Sequence, residues 1–246
     1  MIPYIYTPYG NISTFTFMII CGMLSFIGIT HIELKKSENI VCEENFIYPK
    51  ILASGIIAFA FSAIFDALFK LRSNGAFVLS GVTFYGGLIG SVICMYIMLC
   101  LSRAKTQYTQ YQWFDFLTLP LIVFHIWGRI GCFLAGCCYG KATDSILGVV
   151  FPDNEVAGIF HYGEKLYPTQ IFEVLALTII LIIVLKASKK FNTYLILYAI
   201  SRFFIEFFRG DDRGNLFVIA SPAQIISIMI VLSILIIEIR LRMERN

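Results

Sequence analysis

Apolar residues in this chain run in long unbroken stretches instead of alternating with polar ones. Seven stretches are long enough to cross a hydrocarbon core of ~30 Å, which takes about 20 apolar residues in a helix. They fall near residues 13–30, 50–69, 76–101, 113–135, 169–187, 193–208 and 217–240. None shows the period-two alternation of a membrane barrel strand, the other structure that satisfies its backbone inside lipid. The pattern predicts an all-α integral membrane protein with seven transmembrane helices. No repeat or linker interrupts it, so residues 1–246 read as a single membrane domain. The longest connection, residues 136–168, carries Asp144, Asp153, Glu155, His161 and Glu164, and a short stretch at 147–151 with strand character. A loop of that length is more often functional than not.

Composition agrees with this picture. Apolar residues make up 58% of the chain and charged ones 14%, and the mean hydropathy is +0.79. A water-soluble surface needs far more charge than that. The net charge of +3 is ordinary for a membrane protein and does not point to nucleic acid. No Lys or Arg precedes the first apolar run, and Lys35 and Lys36 follow it. A cleavable signal peptide has the opposite arrangement, so this run reads as a retained helix.

Basic residues in the connections set the orientation. Lys70, Arg72, Lys141, Lys165, Arg209 and Arg213 fall on one side, six in all. Lys35, Lys36, Lys50, Arg103, Lys105, Lys186, Lys189, Lys190, Arg240, Arg242 and Arg245 fall on the other, eleven in all. The N-terminus is therefore expected outside and the C-terminus in the cytoplasm, with 136–168 as an outer loop.

An ionisable group inside a membrane span is expensive and is a functional candidate by default. On the fourth run, His125, Arg129 and Cys132 are spaced i, i+4, i+7 and share one face. A guanidinium there needs an anion. A phosphate fits its fork bidentately, and the competing reading is a structural ion pair with Glu173 or Glu206. Arg202 and Glu206 sit i, i+4 on the sixth run and can neutralise each other or join Arg129 in clamping an anion. His125 has the intrinsic pKa of a general base, yet a lone intramembrane histidine is commonly a hydrogen-bonded packing residue. The seven cysteines form no disulfide framework by count or spacing. Cys132, Cys137 and Cys138 with His125 lack the spacing of a zinc finger or ribbon, so no metal is expected. Glycines at 81, 86, 87, 90, 128, 131, 136 and 140 allow close helix approach, and they also leave room for a lipid head group beside Arg129.

At these residues the sequence resembles the prolipoprotein diacylglyceryl transferase family. The resemblance is carried by Gly128-Arg129-Ile130-Gly131-Cys132-Phe133 with Gly136 and Tyr139-Gly140-Lys141. Four further segments follow the family's order: Phe84-Tyr85-Gly86-Gly87, Leu147-Gly148-Val149-Val150-Phe151-Pro152, Tyr167-Pro168-Thr169-Gln170-Ile171-Phe172-Glu173 and Arg202-Phe203-Phe204-Ile205-Glu206-Phe207-Phe208-Arg209. It implies a multi-pass enzyme of the bacterial plasma membrane. Such an enzyme moves a diacylglyceryl group from phosphatidylglycerol to the lipobox cysteine thiol of a preprolipoprotein signal peptide, and glycerol phosphate leaves. Its expected partners are those two substrates and the surrounding membrane lipids, with no cofactor.

By the resemblance, Arg129 and Arg202 match the family's arginines and hold the phosphate. His125 is the expected base, and Tyr85 is expected to donate to the leaving phosphate. Gly86, Gly87, Gly131, Cys132, Gly140, Glu206 and Gln170 are the expected substrate-contacting positions. The chain departs from the family at Phe15 (usually tyrosine), Tyr85 and Tyr167 (usually histidine), Cys132 (usually asparagine) and Cys137 (usually glutamate). A related lipid transferase with another donor or acceptor, and a non-catalytic lipid-binding or transport bundle, are the alternative expectations.

Overall fold

The computed structural model describes residues 4–7, 10–36, 40–74, 83–102, 106, 108–153, 156–210 and 221–243. Residues 80–82, Glu155 and residues 211–214, all noted in the sequence, lie outside the described residues, as does the start of the last apolar run.

The chain forms two compact units. The first comprises Met1–Ile29, Leu117–Asp212 and Ser227–Asn246; the second comprises Thr30–Phe116 and Arg213–Ile226. In the first unit, β1 (Tyr4–Thr7) and β2 (Gly10–Ser13) pair antiparallel with Tyr4 opposite Ser13. This hairpin was not legible as apolar pattern, because its few residues carry no long run. It leads into α1 (Thr14–Leu34). Most of α4 (Gln110–Leu134), α6 (Thr169–Lys186), α7 (Lys190–Ile205) and most of α8 (Pro222–Met243) complete the unit. Small residues let α1 and α4 approach closely. A Cβ on Gly22 would stand 3.0 Å from Phe124 and 3.1 Å from Trp127, and one on Gly131 would stand 3.1 Å from Met18 and 3.2 Å from Phe15.

The second unit is built on α2 (Ile40–Asn74) and α3 (Phe84–Leu101). α2 begins well before the apolar run at residue 50. Its first turns carry Glu43, Glu44 and Lys50, and Lys50 Nζ lies 3.6 Å from the Phe46 ring centroid. Here a lysine counted as a loop residue is helical, its ammonium over an aromatic face. α3 packs on α2 through missing side chains. A Cβ on Gly90 would meet Phe61 at 2.6 Å, and one on Gly86 would meet Phe65 Cβ at 2.8 Å and the Phe61 carbonyl at 2.9 Å. The Ser62 hydroxyl donates to the Thr83 carbonyl at 2.6 Å just before α3.

Among the described residues, six helices are long and apolar enough to span a membrane, at Thr14–Leu34, Glu43–Leu68, Phe84–Leu101, Gln110–Leu134, Thr169–Lys186 and Pro222–Arg240. Their outer faces expose Leu24, Leu52, Phe59, Leu101 and Leu175, as lipid demands and water would not tolerate. The expected span at 193–208 differs. Its helix α7 has 16 residues and gives way to a 3-10 turn at Glu206–Phe208.

The connection 136–168 folds on itself. β3 (Val149–Val150) pairs antiparallel with β4 (Lys165–Leu166), and the short α5 (Val156–Phe160) lies between them in sequence. Tyr139, Phe151, Ala157 and Leu166 make a small core with Phe133 against it. The strand character expected at 147–151 is therefore realised over two residues.

Candidate functional site: a buried arginine–glutamate centre

The first unit concentrates charge where burial makes it costly. α4 presents His125 and Arg129 on one face, and α6 presents Gln170 and Glu173. Tyr194, Tyr198 and Arg202 recur at i, i+4, i+8 along α7. The 3-10 turn then stops the helix, and Arg209, just beyond it, pairs with Gly140 in an isolated bridge.

Glu173 is the hub and is 1% exposed. Its Oε2 forms an ion pair with Arg129, 2.8 Å from Nε, and accepts from the Tyr198 hydroxyl at 3.3 Å. Its Oε1 lies 3.4 Å from Arg209 Nη1. Arg209 Nε is also 4.0 Å from Glu206 Oε2, and Glu206 pairs with Arg202 one turn away. Arg129 and Arg202 thus belong to one network joined through Arg209. Among the described residues, three guanidinium groups face two carboxylates, 3 − 2 = +1. Arg202 is 3% exposed, and its Nη1 has no hydrogen-bond partner among the described residues. A buried charge left over in this way costs several kcal/mol unless an anion joins it.

The ion pairs weighed against an anion clamp are present: Arg129 with Glu173, and Arg202 with Glu206. With both pairs in place, Arg202 Nη1 still has no hydrogen-bond partner among the described residues. Arg209 is the residue that sequence reasoning missed as part of the centre, because it read as a loop cation. Its signal was its place at the end of the Arg202–Glu206 helix face. Tyr194 and Tyr198 were also missed, although a tyrosine stripe in register with Arg202 on an apolar helix was a usable cue.

His125 is 4% exposed. Its Nδ1 lies 3.2 Å from the Tyr194 hydroxyl, and its Nε2 accepts from Arg129 Nε at 3.4 Å. That long bond takes the one hydrogen on Arg129 Nε, so Glu173 holds the guanidinium as an ion pair. Tyr198 packs edge-on against the imidazole with centroids 4.8 Å apart.

The expected substrate-contacting positions separate. Gln170 is wholly buried, and its Nε2 donates to the Cys137 carbonyl at 2.7 Å. Thr169 Oγ1 donates to the Cys138 carbonyl at 2.8 Å. Gly140 has Tyr167 Cβ within 2.6 Å of where its own Cβ would be, and its N–H donates to the Tyr167 carbonyl at 2.8 Å. Gly131 meets α1, as above. Both glycines serve close packing. Tyr85, Gly86 and Gly87 belong to the second unit, where Tyr85 is buried in α3 and Gly86 packs on α2.

The cysteines come together in space. The Sγ atoms of Cys132, Cys137 and Cys138 lie within 4.8 Å of one another. Cys138 has φ +64°, a left-handed conformation uncommon outside glycine, and Gly136 just before shares it. Hydrogen bonds to the Cys132 and Cys138 thiols, with burial, push the Cys137 thiol well above the usual thiol range.

Among the described residues, six helices long and apolar enough to cross a membrane, with an ionic centre buried in the first unit, define a helical integral membrane protein. Its place within that class comes from sequence comparison. The family model for prolipoprotein diacylglyceryl transferase matches residues 4–240, and the chain belongs to that family. It is similar to phosphatidylglycerol–prolipoprotein diacylglyceryl transferase 2 of Clostridium perfringens (strain 13 / Type A), 38% identical over 160 residues, 62% of this chain and 59% of that protein. The enzyme of the same name, without the numeral, from Clostridium tetani (strain Massachusetts / E88) is 34% identical over 160 residues, 62% of this chain and 61% of that protein. That of Dehalococcoides mccartyi (strain ATCC BAA-2266 / KCTC 15142 / 195) is 26% identical over 230 residues, 87% of this chain and 83% of that protein. The chain spans about three-fifths of the length of the first two relatives.

Proposed function

We propose that this protein transfers a diacylglyceryl group from phosphatidylglycerol to the lipobox cysteine of a preprolipoprotein. The observation that supports the reading is the buried Arg202 Nη1, which has no hydrogen-bond partner among the described residues and lies in one network with Arg129 and Arg209. The phosphodiester of phosphatidylglycerol supplies the missing negative charge. The acceptor sulfur attacks the glycerol carbon that bears the phosphate, so an S–C bond forms, the C–O bond breaks, and glycerol phosphate leaves. Charge grows on the departing phosphate, and preorganised arginines stabilise it there more than in the ground state.

Arg129 and Arg202 are the phosphate-holding pair, and Glu173 and Glu206 orient them. His125 takes the thiol proton at Nε2, where the Arg129 N–H is held only over a long 3.4 Å. Gln170 contributes by fixing the Cys137 backbone. Tyr85 stands where the family usually has histidine, and its hydroxyl is the proposed donor to the leaving phosphate.

The reading places the whole chain as one domain in the bacterial plasma membrane, with seven crossings, an outside N-terminus, a cytoplasmic C-terminus and the 136–168 loop outside. The basic-residue asymmetry supports the orientation. The seventh crossing is α7 with its 3-10 turn. Sixteen residues at 1.5 Å and three at about 2 Å reach roughly 30 Å, the thickness of the core. The changed residues Tyr85, Cys132, Cys137 and Tyr167 favour, as second reading, a related transferase with another acceptor or donor.

The test is rescue. Cells depleted of their own transferase should regain lipidation of a reporter lipoprotein when this protein is expressed, and should not regain it with Arg202→Met. A stable, membrane-inserted protein that leaves the reporter unlipidated would move the reading to the second one.

A further inference from the structure

The geometry points to a zinc-class cation site at Cys132, Cys137 and Cys138 that takes the acceptor thiol as its fourth ligand. The inference rests on the reading above that a thiol is the acceptor. Along the sequence the three cysteines have no zinc spacing, but in space their sulfurs lie within 4.8 Å of one another. Tetrahedral zinc with bonds of about 2.3 Å sets its sulfur ligands roughly 3.8 Å apart. Small side-chain rotations close that difference.

The backbone around the trio is held independently of any ion. The Cys137 N–H donates to the Cys132 carbonyl at 3.1 Å, which folds the chain back on the end of α4. The Cys137 and Cys138 carbonyls are fixed by Gln170 and Thr169 at the start of α6. The left-handed Cys138 turns its side chain toward the others. Cys132 is the most buried of the three and Cys137 and Cys138 are half-buried, so a fourth ligand would approach from the side of the latter two. Three thiolates on a divalent cation carry a net charge of −1. Cys132 lies one turn beyond Arg129 on the same helix, so that charge sits beside a guanidinium.

Three protein ligands with an open fourth position is the arrangement in which zinc does chemistry, and a coordinated thiol is held as thiolate. The substrate thiol binds the cation and gives up its proton, to His125 or to water. The metal-bound sulfur then forms the S–C bond as the C–O bond to phosphate breaks. No electron is gained or lost overall, and the cation is unchanged. The site would supply the thiolate that a free cysteine, a few per cent ionised at neutral pH, lacks.

The test uses the reduced full-length protein in phosphatidylglycerol nanodiscs, with cobalt(II) as a spectroscopic probe. One equivalent should bind with sulfur-to-cobalt charge transfer and tetrahedral ligand-field bands, and zinc should displace it. Cys132→Ser, Cys137→Ser and Cys138→Ser should each weaken binding more than the roughly 10–100-fold that follows loss of a ligand's outer hydrogen-bond partner. A lipobox-type peptide should shift the ligand-field bands, and its Cys→Ser counterpart should not.

The proposal is overturned if wild-type protein gives no charge-transfer band, or if the triple serine variant gives the same band. It is also overturned if the cysteine peptide leaves the bands unmoved, or if the protein as isolated carries a disulfide within the trio. The cobalt bands are read without catalysis. Binding with no diacylglyceryl transfer would therefore count against the transfer reading alone, and transfer with no binding against this inference alone.

Discussion

Replacing Glu173 with glutamine tests the ionic centre most sharply. The substitution keeps the shape of a side chain that is 1% exposed, so packing hardly changes. It removes the charge that pairs with Arg129 at 2.8 Å and with Arg209 at 3.4 Å. The centre then holds three guanidinium groups against Glu206 alone, 3 − 1 = +2. Breaking a buried pair from one side costs about 3–5 kcal/mol, because the remaining charges stay desolvated. For a chain of this size that is an apparent melting shift on the order of 10 °C. The assay is thermal unfolding in neutral detergent, repeated with added phosphatidylglycerol, which should recover more stability in the variant than in wild type. The double variant Glu173→Gln, Arg129→Met should be less destabilised than the two single variants summed, since it removes both halves of one pair. A melting temperature within a degree or two of wild type, with no extra response to anionic lipid, would refute the reasoning.

Four further outcomes are expected. Gly90→Ala should destabilise the second unit by about 1–3 kcal/mol, because its Cβ would stand 2.6 Å from Phe61; unchanged unfolding would show that α2 and α3 can separate at no cost. A fluorescent protein that matures only in the cytoplasm should light up when fused to the C-terminus, and a dark, full-length fusion would reverse the orientation. His125→Gln, folded and still binding lipid, should lose about 10²–10⁴-fold in transfer rate; near-normal rates would remove it as the base. Cys137 in metal-free reduced protein should react slowly with iodoacetamide at pH 8, since its thiol is held above the usual range; labelling as fast as a model thiol would contradict that.

Much of this was legible along the chain. Long apolar runs can only be satisfied in lipid; length and composition predicted seven spans, and six helices among the described residues meet that measure. The cost of burying charge singled out Arg129, Arg202 and Glu206 before any coordinates. What pattern could not give was closure of the network. Arg209 lies past the helix end and reads as a loop cation until the 3-10 turn at Glu206–Phe208 brings it back to Glu173. The thiol trio was hidden for a similar reason. It depends on left-handed backbone at Gly136 and Cys138, and on two α6 side chains holding the loop carbonyls. Neither has a sequence period. The glycines were legible in kind, as close-approach residues, and their partners, Phe61 for Gly90 and Met18 for Gly131, needed the fold.

The central claim is tested most directly by reconstituting the purified protein in phosphatidylglycerol vesicles with a lipobox peptide and following both products by mass. The expected result is a peptide heavier by one diacylglyceryl group on its cysteine, with one glycerol phosphate released per peptide. Neither product should form with the peptide's cysteine changed to serine or with the protein carrying Arg202→Met. An unmodified peptide and no glycerol phosphate, from folded protein that still binds the lipid, would contradict the claim.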